Sequence, residues 1–239
     1  MPRESIDEFF EEKKMNKLIS VIMPVKNGEK YLKEAIEGIK RQKMDVEIIV
    51  VNDGSTDSTE QIAKGTGCVV INHAQSKGQV AAKNTGIKNA HGEYIIFHDG
   101  DDIMNNNALE VLYDTLEADQ SLAAVMAKVK DFVSPDIEEP TQESVKADPY
   151  YRLFTGAVLM RHNVFDKIGY FNENVHTGEI IEWMNKMAEH KLKIKKVDFV
   201  ATNRRIHSHN FGKTHRTTEF QNYAQILRQN LKKVPREKI

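Results

Sequence analysis

Through the first 130 residues, short apolar runs rich in β-branched side chains alternate with segments of helical periodicity. No other feature constrains the fold as tightly. Leu18 to Met23 is an apolar run stopped by Pro24, the pattern of a buried strand. Tyr31, Leu32, Ala35, Ile36 and Ile39 recur at helical spacing and predict a helix over about 29–42. Val46 to Val51 is a second strand, closed by Asn52-Asp53-Gly54, and Ser55 or Thr56 offers a cap for a helix over about 57–65. A third strand (69–71), a helix (77–90), a fourth strand (94–97), a helix (105–118) and a strand (122–130) follow. Strand and helix in alternation predict a mostly parallel sheet, covered by helices on both faces and joined by right-handed crossovers. In such sheets ligands bind beyond the carboxyl ends of the strands.

The second half is less regular. Residues 132–150 hold Pro135, Pro140 and Pro149 with an acidic excess, and predict a long surface loop. A strand (154–160), a helix (178–190), a strand (193–200), a polar segment (203–215) carrying His207, His209 and His215, and a helix (217–232) complete the chain. One domain over 18–215 is expected, with halves 18–130 and 131–215. A charged extension (1–17) precedes it, and a helix with a basic tail (216–239) follows. Thirty-four Lys and Arg against 35 Asp and Glu give a net charge of -1, which supplies no global attraction to nucleic acid or membrane. The basic run from Arg228 to Lys238 leaves weak peripheral membrane contact open. A single cysteine, Cys68, excludes an internal disulfide framework and a cysteine-based zinc site. No apolar run is long enough to span a bilayer and no signal-peptide core is visible, so a cytoplasmic protein is expected.

Chemistry concentrates at the predicted strand ends. Asp99-Gly100-Asp101-Asp102 places three carboxylates in four residues after the fourth strand. They repel one another unless a cation or hydrogen-bond donors offset them. Oxygen donors of this kind suit Mg²⁺ or Mn²⁺, which keep positions open for phosphate oxygens. Asp99 and Asp101 share a side in extended backbone, whereas Asp102 joins them only if the chain turns. Asn52-Asp53-Gly54-Ser55-Thr56-Asp57 serves as a turn and helix cap, and Asp53 can also accept bonds from a base or ribose. No Gly-x-Gly-x-x-Gly follows the first strand and no Gly-Lys-Ser/Thr loop occurs, which disfavours a dinucleotide site or a P-loop.

Taken in order, Ile19-Ser20-Val21-Ile22-Met23-Pro24 with Asn27, Glu47 to Asp57, Lys83-Asn84-x-Gly86-Ile87, Ala90-x-Gly92-Glu93-Tyr94-Ile95, Phe97 to Asp102, Thr155-Gly156-Ala157 and Gly169-Tyr170-Phe171 resemble the motifs of family 2 glycosyltransferases of the GT-A fold. The resemblance spans about residues 18–210. It implies a nucleotide-sugar donor, usually a UDP-sugar, and inversion at the anomeric carbon. By the same resemblance Pro24 and Asn27 border the nucleotide, Asp53 binds uracil or ribose, and Lys83 lies near the diphosphate or base. Asp99 places ribose or metal, Asp101 is a metal ligand, Asp102 is close to the donor sugar, and Gly156 lets the backbone approach the donor–acceptor junction. His207 completes the metal shell, with His209 the alternative, and the basic pair Arg204-Arg205 offsets diphosphate charge.

The family's catalytic base comes from a Glu-Asp pair opening a helix. Here Glu179 is present, but Ile180 stands in the Asp position. Either Glu179 is the base, or another residue serves, or the chain is a non-catalytic nucleotide-sugar-binding adaptor on the same scaffold. Trp183 is expected to pack in the core or stack on a sugar. A phosphohydrolase using Asp99 as nucleophile is disfavoured, because Ile103 stands where Thr or Val is needed and the motif follows the fourth strand rather than the first. The acceptor stays open among a glycan, a lipid-linked sugar, a peptide side chain and a small metabolite.

Overall fold

A computed structural model describes residues 17–136, 145–152, 155–174 and 179–207. The expected extension before Lys17, the helix over 217–232, the basic tail, His209 and His215 lie outside them.

The strands are β1 (Ile19–Val25), β2 (Val46–Asn52), β3 (Val69–Asn72), β4 (Tyr94–Phe97), β5 (Ile103–Met104), β6 (Leu122–Val133), β7 (Val158–Arg161) and β8 (Lys193–Ile206). The helices are α1 (Leu32–Lys40), α2 (Thr59–Gly65), α3 (Gln79–Lys88), α4 (Ala108–Glu117), α5 (Val164–Ile168) and α6 (Glu179–Glu189). One sheet forms in the order β3-β2-β1-β4-β7-β6-β8-β5. Strands β3, β2, β1 and β4 run parallel, β7 is antiparallel to both its neighbours, and β6 is parallel to β8. The parallel half is the expected crossover architecture, and the reversed β7 makes the sheet mixed.

Side-chain alternation sorts the core into two layers. Val21 and Met23 of β1 pack with Ile36 and Ile39 of α1 and Leu109 and Leu112 of α4. Ile22 faces the other way, toward Val80 and Ile87 of α3, Phe165 of α5, and Trp183 and Met187 of α6. Trp183 is therefore a core residue, 1% exposed.

Strand β1 does not stop at Pro24, as the proline suggested, but continues to Val25. The Val25 carbonyl accepts from Asp53 of the β2 side, whereas the Ile22 carbonyl accepts from His98 on the β4 side. Even-numbered residues of β1 thus bond toward β4, which has ended at Phe97. The N–H that proline lacks would have found no ladder partner there, so the residue is tolerated. Strand β8 likewise runs to Ile206, so residues 203–206 of the expected polar segment are paired backbone. The strand expected over 154–160 begins at Val158, after a 3₁₀ turn at 155–157.

At the amino end of the parallel strands, Glu117 gathers a knot of donors. Lys17 Nζ lies 2.8 Å away, Tyr94 Oη 2.7 Å and Arg161 Nη1 2.8 Å. Beside this knot, Gly92 lies so close to β1 that an added Cβ would stand 2.6 Å from Ser20 Oγ and 2.7 Å from the Leu18 carbonyl oxygen. Two of the nearest atoms are backbone, so little can yield. Gly92→Ala should cost about 1–3 kcal/mol, read as a lower urea midpoint at unchanged slope.

Candidate active site

The carboxyl ends of β1, β2 and β4 form one rim, and the loops there are tied together by their own polar side chains. Asn27 takes a left-handed conformation, φ 53°, which asparagine tolerates better than most residues. Its N–H donates to Ser55 Oγ and its Oδ1 accepts from the Thr56 N–H, both at 2.9 Å. The Gly28 N–H donates to Thr59 Oγ1 at 2.8 Å. Asn27 thus joins the β1 loop to the β2 loop, beside the half-buried Pro24.

Asp53 is buried and fully engaged. His73 Nδ1 (2.6 Å), Ser76 Oγ (2.7 Å), the Lys77 N–H (2.8 Å) and the Gly78 N–H (2.9 Å) all meet its carboxylate. Burial acts to raise its affinity for protons, but these donors outweigh it and hold the carboxyl below its ordinary range. The group fixes the chain entering α3, and contact with a nucleotide would be added to, or exchanged for, these bonds. His73 and Ser76 carry no periodic signal in the sequence. Only the position of His73 directly after β3, on the same rim, points to it.

After β4 the chain turns, with the Asp102 N–H 3.3 Å from the Asp99 carbonyl oxygen. The turn brings carboxylate oxygens of Asp99, Asp101 and Asp102 within 4.8 Å of one another. His207, at the end of β8, adds Nε2 at 2.8 Å from Asp101 Oδ2. The Arg205 N–H donates to Asp102 Oδ1 at 2.9 Å, so β8 buttresses the turn by backbone as well as side chain. Burial, then the charge of Asp101, pushes Asp99 up to about 6. Burial, then Asp101 and Asp99, pushes Asp102 well above the carboxylate range. Negative charge is thus gathered with too little compensation, in a donor set of carboxylates and one imidazole. That set fits Mn²⁺ or Mg²⁺. Because protons compete with a cation for these oxygens, Mn²⁺ affinity should weaken as pH falls through about 6, by roughly tenfold per unit. Calorimetric titration at pH 7.5 and pH 5 would check this, and equal affinities would contradict it.

His98 is completely buried. Burial pushes its imidazole down to about 4, so the ring is neutral. Its Nε2 faces the Asp102 carbonyl oxygen at 3.3 Å, and Nδ1 has no partner among the described residues. The ring braces the acidic turn from beneath.

The Arg205 guanidinium donates to the Asp101 carbonyl oxygen at 2.9 Å, pairs with Glu34 at 2.5 Å, and lies over the rings of Tyr31 and Phe132. It would have to leave these partners to reach a diphosphate directly. Arg204, by contrast, acts electrostatically on both Asp99 and Asp102. Glu34 and Tyr31 lie on and beside α1, outside the quoted motifs, and it is the Arg205 side chain of β8 that recruits them. Gly156 is buried, and its carbonyl oxygen accepts from Thr202 Oγ1 at 2.6 Å. Glu179 opens α6, and its carboxylate meets the Lys83 ammonium of α3 at 2.6 Å. Ile180 turns into the apolar layer of Trp183.

The mixed sheet with its carboxylate cluster after the fourth strand is an α/β scaffold with a candidate cation site, and comparison with known proteins gives its family. The profile of glycosyl transferase family 2 matches residues 20–174, more than half of the chain. The chain is 43% identical over 109 residues to "Glycosyltransferase GlyG" of Streptococcus pneumoniae serotype 4, covering 43% of this chain and 36% of that protein. It is 33% identical over 150 residues to "Putative glycosyltransferase EpsH" of Bacillus subtilis, covering 59% and 44%. It thus spans less than half the length of either relative. Among solved structures, S. aureus TarS 1-349 in complex with UDP-GlcNAc superposes with a TM-score of 0.68 at 20% identity, over 87% of this chain and 65% of that one. The mannosyltransferase PcManGT from Pyrobaculum calidifontis, in complex with GDP-Man and Mn²⁺, gives 0.71 at 17% identity, over 90% and 64%. The chain belongs to glycosyltransferase family 2, and its fold is of the GT-A type. Among the described residues no helix is long and apolar enough to cross a membrane.

Proposed function

We propose that this chain transfers a sugar from a nucleoside-diphosphate sugar, a UDP-sugar first, to an acceptor hydroxyl, with inversion at the anomeric carbon and with a divalent cation. The observation that carries the reading is the convergence of Asp99, Asp101, Asp102 and His207 at the strand-end rim of a family 2 chain. Asp101, Asp99 and His207 would hold Mn²⁺ or Mg²⁺, which when bound supplies Lewis-acid neutralisation of the departing diphosphate. Pro24, Asn27 and the loop ordered by Asp53 border the nucleotide. Lys83 and Arg204 offset diphosphate charge, and Arg205 holds the acidic turn in shape. Asp102 faces the donor sugar, the Gly156 backbone flanks the junction, and Glu179 takes the acceptor's proton.

The proposal is tested by melting the protein with UDP, GDP and their common sugar conjugates, each with and without Mn²⁺. A ligand bound only by the folded state raises Tm by mass action, by about 2.7 kcal/mol of stability at a hundredfold excess over Kd. A rise for one nucleotide series that vanishes in EDTA is expected, and no rise for any would refute it. Burial of Ile180 in place of a second carboxylate favours one other reading, a donor-binding adaptor without turnover. Nucleotide binding with no release of UDP from any bound sugar conjugate, over a broad acceptor panel, would select it.

A further inference from the structure

The pair formed by Lys83 and Glu179 joins residues 96 apart in the sequence, and the two side chains are only 4% and 9% exposed. Two aromatic rings and a side-chain clamp surround it. The rings of Phe97 and Phe171 lie with their centroids 5.7 and 5.9 Å from Lys83 Nζ. The adjacent Asn84 donates to the Phe171 carbonyl oxygen and accepts from the Phe171 N–H, which fixes the chain that leads toward α6. The nearby carboxylate Glu182 is bonded instead to Asn172 at 3.1 Å. The charges of Lys83 and Glu179 both act on Asp99, so the pair lies within electrostatic reach of the acidic cluster.

Burying two charges is costly, and an apolar pair of similar volume would hold α3 to α6 as well or better. A buried pair beside a cation site is therefore suited to exchange. A carboxylate bonded to an ammonium is a poor proton acceptor, and the same carboxylate left buried without its cation is a better one. Lysine is a compact charge on a flexible four-carbon stem, able to turn between two anions that a rigid fork could not serve in succession.

Resting on the donor class proposed above, we infer that Lys83 is exchanged between two anions. It holds Glu179 while the site is empty, and it moves to the donor's diphosphate on binding, which releases Glu179 as the base. Glu179 then takes the proton of the acceptor hydroxyl. The oxygen's electron pair forms the bond to the anomeric carbon, and the bond from that carbon to the β-phosphate oxygen breaks. The nucleoside diphosphate leaves with that electron pair. The proton on Glu179 passes to solvent as product departs, and Lys83 returns.

The exchange predicts a binding result that needs no turnover. Glu179→Gln removes the anion competing for Lys83, so UDP measured calorimetrically with Mn²⁺ should bind about fivefold tighter or more. Lys83→Met should weaken UDP binding, and K83M/E179Q should bind no tighter than K83M alone. Unchanged or weaker UDP binding by folded E179Q, or an equal gain in the Lys83→Met background, would overturn the exchange while leaving the donor proposal intact. Failure of the wild type to bind either UDP or GDP would instead remove the donor proposal, and the exchange with it. If K83M does not fold, K83Q, which keeps a polar end in the buried position, takes its place in the same comparison with E179Q.

Discussion

Asp101→Asn should give a protein that folds at least as well as the wild type and transfers sugar about 10²–10³ times more slowly. The two effects have one cause. Burial comes first, but after it the charge of Asp101 is what raises both of its neighbours, Asp99 to about 6 and Asp102 well above the carboxylate range. Removing it relieves repulsion in the cation-free protein, so Tm should hold or rise. The same substitution removes the oxygen that His207 meets at 2.8 Å and takes one negative charge from the cation site. Donor turnover measured across a Mn²⁺ series, beside a thermal melt of the same samples, checks both halves. Retention of more than about a tenth of wild-type activity at saturating Mn²⁺ would show that the cluster is not the reacting centre.

Glu117→Gln should do the reverse, lowering stability by about 2–3 kcal/mol while leaving UDP affinity untouched. Burial acts to raise the Glu117 carboxyl, but hydrogen bonds from Lys17, Tyr94 and Arg161, together with the charge of Arg161, hold it down to about 2. Its folded-state value therefore lies below the unfolded value of about 4.3. The stabilisation is fully present above that unfolded value and is lost as pH falls through 4 toward 2. Urea denaturation should show wild type and variant far apart at pH 7 and converging near pH 2. The acidic turn lies at the opposite end of β4, so a large change in UDP affinity in E117Q would mean that the two ends of the sheet are coupled. Together the two substitutions separate the end of the sheet that binds from the end that holds it together.

The parallel half was legible because burial on both faces leaves near-continuous apolar runs. Ile19–Val25, Val46–Asn52 and Tyr94–Phe97 all stand close to where periodicity placed them. The second half was harder. Strand β7 has four residues and β5 two, too few to show a period. The polar residues of β8 misled because that strand pairs with β6 along nearly its whole length but with β5 only at Thr202 and Asn203. Edge backbone of this kind accepts lysines and asparagines that a central strand would reject.

The amino-acid order by itself determined which groups stand at strand ends, because an apolar run can stop only where polar residues begin. Asp53, Asp99, Asp101 and Asp102 were placed on one rim for that reason. Only the tertiary structure decided what those groups do to one another. It set Glu179 against Lys83, Arg205 against Glu34 and His207 against Asp101, across 96, 171 and 106 residues. Coulomb energy and desolvation depend on distance through space and on burial, and neither quantity is written along the chain.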